Sequence, residues 1–532
     1  MGGALTPGTM GRTAYPSCAG SWGRPMRVLL WHGWLLEGSG SNVYTARVAE
    51  LLASAGHDVL LLCQESHPER YRWIEAWGTV GSEGPSPLSP NVASSVSGRC
   101  VLLRPEIGSL LPVFVIDEYE GFEVKRFLDL TKAELDLYLR RNVEALRAAA
   151  AWHRSDIVIT GHAIPGAAVA KRALGPGRYV AKIHGSDLEY AVRPQQRYVE
   201  LAREGLQAAR AVVGPSSDVL NRCVELVPGI GHLVRVVPPG VDATLFRPMP
   251  RREALLQAAA HIEAEAVTDR GRPTALDGEV ARALARRDAP TLHELARRYD
   301  QGAPDPAAAS RLRELAGRGE PLVGYFGKLI PQKGVELVIA AARLSTRHPE
   351  VLIVGFGLHR EWLAALVMAL GTGDAEALDW LRELGGMPDE LSESDLEGPA
   401  NASPVTFTGR LDHRFAPGAL AAMDVLVVPS ILWEAFGMVA AEGAAAGALP
   451  LVAQHSGLAE AAAALEEAVG RPGLFTFQPG AGATRRIAEG IDRLLALPAE
   501  ERNEIRQELS RFVAREWSWR RVAERLLEAG LA

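Results

Sequence analysis

The residues whose types and spacing could do chemistry gather between Asp424 and Ala453, DVLVVPS-ILWEAFGMVAAEGAAAG-ALPLVA. Glu434 and Glu442 flank the start of an Ala-rich helix, and at ~1.5 Å of rise per residue their backbones lie no more than about 12 Å apart. The N–H groups of Phe436, Gly437 and Met438 fall between the two acids, at a helix start where amides lack intrahelical acceptors and attract an anion. Gly437 has no side chain to keep a ligand off the backbone. Two acids around an anion-seeking turn suit an elongated ligand with hydroxyls at both ends and charge in the middle, as in a nucleotide-sugar. The same spacing also suits a helix with one capping acid and one solvated Glu. Upstream, Lys328 and Lys333 lie on a loop between a strand and a helix, where two ammonium groups could neutralise a diphosphate or simply meet solvent. His184 follows the strand-like run Arg178–Ile183, at the end of a strand where open α/β sheets bind ligands. It could bond a sugar hydroxyl or serve only as a structural hydrogen-bonder. Asp187 suits a ligand contact or a helix cap, and His162 is an acceptor-side candidate.

The segment Glu434-Ala-Phe-Gly-Met-Val-Ala-Ala-Glu442 resembles the Glu-x(7)-Glu motif of retaining glycosyltransferase family 4, whose fold is called GT-B. Gly327-Lys328-Leu329 with Lys333-Gly334 resembles the family's G-[RK]-L-x(3)-K-G signature, and His184 matches a family histidine that contacts the donor sugar. Lys328 stands where Arg is more usual, so a point charge replaces a two-pronged fork. Pro238-Pro239-Gly240-Val241-Asp242, with Phe246-Arg247-Pro248, resembles the family's interdomain segment. The resemblance covers roughly 26–241 and 322–532. It implies a nucleoside-diphosphate-sugar donor held by the second domain and a hydroxyl acceptor (saccharide, lipid or small molecule) by the first. By the same resemblance Glu434 positions the sugar, Glu442 grips the ribose, Lys328 and Lys333 steady the leaving diphosphate, and Arg410 passes the nucleobase. The glycine-rich loop with Gly38 and Gly40 borders the cleft from the other side. Retention with no evident nucleophile implies same-face attack assisted by the departing diphosphate.

Elements that could position these residues alternate strand and helix in the manner of a doubly wound sheet. In the first half we read strands at 26–31, 58–63, 156–160, 178–183, 211–214 and 233–237, and helices at 43–55, 132–153, 165–174 and 194–208. A further helix is capped by Ser216 or Ser217. The stretch 75–99 reads as a long Gly/Ser/Pro-rich loop. The expected domains are a tail over 1–25, an acceptor domain over 26–240 and a donor domain over 241–505, both Rossmann-like and facing across a cleft. A final helix over 506–532 then crosses back to the first domain. Residues 251–320, rich in Arg and Ala and free of Lys, read as a helical insertion with solvated faces; 371–400 reads as an acidic insertion.

A net charge of −7 argues against a dedicated nucleic-acid binder. Basic pairs at Lys125-Arg126 and Arg140-Arg141 could touch an anionic membrane or be plain solvated charge. Four scattered cysteines without a C-x-x-C pair suggest a reducing compartment, and a cytoplasmic location is expected. Asp-x-Asp, G-x-S-x-G, G-x(4)-G-K-[ST] and H-E-x-x-H do not occur. The expectation is a metal-independent hexosyltransferase with no cofactor. The alternatives are another GT-B enzyme, such as an epimerase or phosphorylase, and a nucleotide-sugar-binding protein without catalysis.

Overall fold

The computed structural model describes residues 24–94, 96, 98–115, 119–264, 270–385, 403–412 and 414–531. The expected tail (1–25) lies outside these residues but for its last two, and so do residues 386–400 of the acidic insertion; Ala375–Glu383, in its described half, is a helix.

Among the described residues, runs of Val, Leu and Ile at the predicted strand positions form two large sheets, with a separate two-stranded pair, Leu110–Val113 and Glu123–Arg126, beside the first. The first is 10-stranded. Its parallel strands run Val234–Val236, Ala211–Gly214, Val180–Lys182, Ile157–Gly161, Arg27–Trp31, Asp58–Leu62, Arg99–Pro105, Ala76–Gly81. Strand order reverses between Arg27–Trp31 and Ile157–Gly161. The second sheet is six-stranded and wholly parallel, in the order Val405–Phe407, Glu350–Phe356, Leu322–Lys328, Val425–Val428, Leu449–Ala453, Thr476–Phe477. Here the reversal lies between Leu322–Lys328 and Val425–Val428. Loops leaving two neighbouring strands in opposite directions at such a point open a crevice at the strands' carboxyl ends. Each lobe therefore has one predetermined place for a ligand.

The segment expected as a loop over 75–99 is in part strand. Ala76–Gly81 lies parallel to Arg99–Pro105, and Gly84–Pro85 and Ser89–Pro90 pair with it antiparallel. Pro85 and Pro90 are tolerated there because they lie on the short outer strands, where a missing donor leaves few ladder bonds unmade.

The insertion over 251–320 is helical, but its faces are not all solvated. Helix Arg251–Ala264 buries Ala254, Leu255, Ala258, Ala259 and Ile262 in the core of the second lobe. Its alanines let the helix Ala416–Ala422 come close: a Cβ on Gly418 would lie 2.5 Å from the Ala254 carbonyl. Arg272 is interior as well, forked onto Glu361 at 2.8 Å with both side chains almost fully buried.

The stretch expected as one crossing helix from 506 is two helices. Ala499–Glu516 belongs to the second lobe, with Ile505, Leu509 and Val513 in its core. The chain turns at Trp517–Ser518, where the Val241 amide donates to the Trp517 carbonyl at 2.7 Å. Trp519–Leu531 then packs Val522, Ala523, Leu526 and Leu527 into the first lobe beside Val48, Leu52 and Ile157. Gly240 is required here, since a Cβ would lie 2.7 Å from the Trp519 Cα. The outgoing and returning strands of the hinge thus touch.

Leu526 is 1% exposed in that seam. Leu526→Ala is expected to remove about 2–4 kcal/mol of stability, read as a lower urea midpoint of the transition that reports the first lobe. An unchanged midpoint would show that this helix is not docked.

Candidate active site

In the second lobe the two loops at the strand-order reversal are laced together. The Gln332 carbonyl accepts from the amides of Ile431 (2.9 Å) and Leu432 (3.3 Å). Gly334 holds φ at 64°, and a Cβ there would lie 2.8 Å from the Pro429 carbonyl, so glycine allows the loops to meet. The lacing carries Lys333 to Glu434: the ammonium donates to Glu434 Oε1, which also accepts from Ser430 Oγ at 2.9 Å. Both partners of the ion pair are about a quarter exposed. Lys328 ends its strand with an exposed side chain, and its carbonyl accepts from the Tyr325 hydroxyl at 2.8 Å. Burial first, then the Glu434 and Glu336 carboxylates, push the Tyr325 phenol well above its ordinary value.

Helix Met438–Ala446 starts at Gly437, whose φ of 104° caps it without a side chain. Among the recorded backbone hydrogen bonds of the described residues, none has the N–H of Phe436, Gly437 or Met438 as donor. The Phe436 amide is closely overlaid by Gly457, where a Cβ would lie 2.7 Å away, and its ring is buried edge-on against Trp517 at 4.9 Å. The open amides are therefore those of Gly437 and Met438. Glu442 lies in the second turn and is buried, with 8% of its surface exposed. The Glu434 backbone is held from a third element: its amide donates to Ser456 Oγ at 3.0 Å, and its carbonyl accepts from the Gly457 amide at 3.0 Å. Arg410 is exposed, its guanidinium 4.9 Å from the Phe356 ring centroid, at the end of the strand next to Lys328's.

In the first lobe the reversal point holds a buried polar nest. The rings of His162 and His184 lie 4.6 Å apart, with Trp34, Phe114 and Tyr44 around them. His162 holds φ at 71°, a left-handed conformation uncommon outside glycine that the surrounding packing must impose. His32 Nε2 donates to Asn42 Oδ1 at 2.9 Å, and burial pulls its pKa down to about 4. Burial, then the Lys182 ammonium, hold His184 well below the usual imidazole range, so it is neutral. Lys182 is itself buried, donating to the Ile183 carbonyl at 2.9 Å and lying 4.9 Å from the Tyr44 ring centroid. Burial pulls its pKa down to about 7, against the pull of Asp187. Asp187 accepts from the amides of Ala163 (2.6 Å) and Gly185 (2.8 Å), so it ties two loops together. Gly38 needs its φ of 95°, and around both Gly38 and Gly40 there is open space. The helix expected from 43 begins at Gly40, capped by Ser39.

The two reversal points face each other. A Cβ on Gly185 would lie 3.7 Å from the Ala435 Cβ, which puts the His184–Gly185 turn against the residue after Glu434. The structure thus brings His184, Lys333 and Glu434 to one cleft, with Lys328, Gly437, Met438 and Glu442 on the same lobe face; Arg410 stands two strands away from Glu434. Tyr44, Lys182, Tyr325, Ser430 and Ser456 escaped the sequence reading. Lys182 was the legible anomaly, a lysine inside an apolar strand. Ser430 and Ser456 each follow a buried strand within two or three residues, a position that faces such a crevice.

Two facing Rossmann-like lobes joined by a returning C-terminal helix define the GT-B fold. The same arrangement is found in sucrose-phosphate synthase from Thermosynechococcus elongatus (TM-score 0.53, 19% identity, 94% of this chain and 98% of that one). It is found also in Anabaena Alr3699/HepE in complex with UDP (TM-score 0.54, 14% identity, 94% and 98%). Residues 38–245 match the family model described as Glycosyltransferase Family 4, and 309–511 match Glycosyl transferases group 1. Together the two matches make the chain a GT-B glycosyltransferase of the family 4 type. Among curated relatives, it is 33% identical over 163 residues to a GDP-mannose-dependent alpha-(1-6)-phosphatidylinositol monomannoside mannosyltransferase of Mycolicibacterium smegmatis, covering 30% of this chain and 36% of that protein. It is 27% identical over 201 residues to a glycogen synthase of Thermus thermophilus, covering 37% and 38%. These matches span little more than a third of either relative.

The Lys182 ammonium binds its proton less tightly when folded (about 7) than unfolded (about 10.5). Between those values the unfolded chain holds more protons, so this group makes stability rise with pH, and below 7 its burial costs most. Lys182→Met is therefore expected to stabilise the protein more at pH 6 than at pH 9 in urea unfolding. An equal gain at both would place the ammonium in water.

Proposed function

We propose that this enzyme transfers a hexosyl unit from a nucleoside-diphosphate sugar to a hydroxyl acceptor, with retention and without a metal ion. The observation that carries the reading is the Lys333–Glu434 pair at the second lobe's reversal point, set against the His184–Gly185 turn of the first. An ion pair a quarter exposed contributes only about 0–1 kcal/mol, so a donor can part it at small cost. The diphosphate then takes Lys333 and Lys328 together with the amides of Gly437 and Met438, and Glu434 is released to the sugar hydroxyls. Glu442 takes the ribose, and the base passes Arg410.

The anomeric carbon–oxygen bond to phosphate breaks and the bond to the acceptor oxygen forms on the same face. The acceptor proton passes to the departing phosphate oxygen. Two ammonium groups fixed beforehand stabilise charge growing on that oxygen, which is where such preorganisation lowers a barrier. A neutral His184 presents a nitrogen to a sugar hydroxyl without adding charge. Reaction between closed lobes limits hydrolysis of the donor. UDP and UDP-glucose complexes of the Anabaena protein support a nucleotide-sugar donor. We place the reaction in the cytoplasm, in keeping with the free buried thiols of Cys63, Cys100 and Cys223. Among the described residues no helix is long and apolar enough to cross a membrane.

A thermal-shift series with UDP-, GDP-, ADP- and TDP-sugars tests the reading. The matching donor at a hundredfold excess over its Kd should add about 2.7 kcal/mol to native stability. Glu442→Gln is expected to weaken that donor roughly tenfold to a hundredfold, the worth of a hydrogen bond to a charged group (~1.5–3 kcal/mol). Glu434→Gln should bind donor and fail to turn it over. No shift with any sugar nucleotide, or sugar transfer dependent on inorganic phosphate alone, would overturn it.

A further inference from the structure

The helix that fastens Glu434 also fastens the opposite lobe. Helix Ser456–Ala468 holds the Glu434 backbone through Ser456 Oγ and the Gly457 amide in its first turn. One turn on, Glu460 reaches across the cleft. Its carboxylate accepts from the amides of Ser217 (2.7 Å) and Asp218, the first two residues of helix Ser217–Leu226 in the first lobe. Those amides lack intrahelical acceptors, and a helix start carries partial positive charge, so a carboxylate there is held by charge and geometry together. Two further contacts cross at the same place. Ser216 Oγ donates to the Ala435 carbonyl at 2.7 Å, and the Arg222 guanidinium lies 5.0 Å from the ring centroid of Trp433. Trp433, Glu434 and Ala435 are consecutive. Every cross-lobe contact just named therefore falls on the Glu434 loop or on the helix that anchors it.

We propose that Glu460 is a positioning residue, a latch whose bond to the Ser217–Leu226 helix start closes the lobes and sets Glu434 for transfer. The latch rests on the proposed function only in what it serves; the closure itself is a matter of shape. A carboxylate exchanging water for two amides loses little on opening, since both partners rehydrate, and the same bond re-forms when donor draws the Glu434 loop inward. Its substitution should leave donor contacts in place and make closure rarer. That predicts a fall in kcat with a much smaller change in donor KM, because the diphosphate and ribose are held by the second lobe and His184 is the one sugar contact proposed from the first. It also predicts more donor hydrolysed per acceptor glycosylated, since an open cleft admits water.

Small-angle scattering of the full chain, with transfer and hydrolysis assays, tests this. Glu460→Ala is expected to enlarge the radius of gyration, lower kcat about tenfold, the scale of one charge-assisted hydrogen bond, and raise the hydrolysis-to-transfer ratio; Glu460→Asp should recover part of each. Glu460→Gln keeps the shape, turns a carboxamide NH2 donor toward one of the two N–H groups, and carries the test if the Ala variant does not fold. A radius, kcat and product ratio equal to those of the unaltered protein would overturn the latch. An unaltered protein with no transfer from any sugar nucleotide would overturn the proposed function instead, and the scattering would still decide the latch.

Discussion

An ammonium and a carboxylate meet where two neighbouring parallel strands send their loops in opposite directions, and the arrangement of the second lobe follows from that meeting. Lys333 and Glu434 are 101 residues apart in the chain, Lys333 at the end of a single 3-10 turn (Pro331–Lys333) and Glu434 on a loop outside any helix or strand. What holds them is backbone: the Gln332 carbonyl taking two amides of the other loop, the bare Gly334 against Pro429, and the Ser456–Gly457 turn against Glu434. The pair is neither buried enough to be costly nor exposed enough to be idle. It is an interaction suited to exchange, in contrast with Arg272–Glu361, whose fork is sealed in the interior and whose loss of one partner would cost several kcal/mol (~3–5).

The first lobe solves the opposite problem. Its reversal point is lined with groups that could carry charge, yet burial keeps the imidazoles neutral and pulls the Lys182 pKa down to about 7. Asp187 spends its oxygens on backbone amides, which fixes the His184–Gly185 turn at the height where it meets Ala435. The charge needed for a diphosphate thus stands on one lobe, and a neutral, aromatic-walled surface stands on the other. The proposed transfer from a diphosphate donor to an uncharged hydroxyl calls for that division.

Joining the lobes falls to short polar contacts at the cleft and to the apolar seam of the last helix. The seam is the permanent part: Leu526 and its neighbours are as buried as any core residue. The cleft contacts are a few hydrogen bonds and one cation–ring contact, each able to exchange with water. They can part while the seam stays, the distribution of strength that the proposed closure requires.

Much of this was legible from order along the chain. Period and composition located the parallel strands, because a strand covered on both faces must be apolar throughout, and the resemblance carried by Glu434–Glu442 and the Lys328–Lys333 loop pointed to the candidate site. The strand Ala76–Gly81 was not legible: its glycines argue for a loop, and only pairing with Arg99–Pro105 on one side and with the short strands Gly84–Pro85 and Ser89–Pro90 on the other makes a strand of it. The break at Trp517–Ser518 was hidden for a similar reason, since two helices with like periodicity read as one until each finds a different core. The interior of the 251–320 insertion escaped because alanine and arginine look solvated until a partner helix and a buried glutamate are brought to them. Sequence by itself determined which segments are strands and helices and which side chains could do chemistry, since those depend on neighbours a few residues away. Tertiary structure alone decided which of those side chains share a cleft, how Glu460 reaches Ser217, and which amides stay open, because those are contacts between residues hundreds of positions apart.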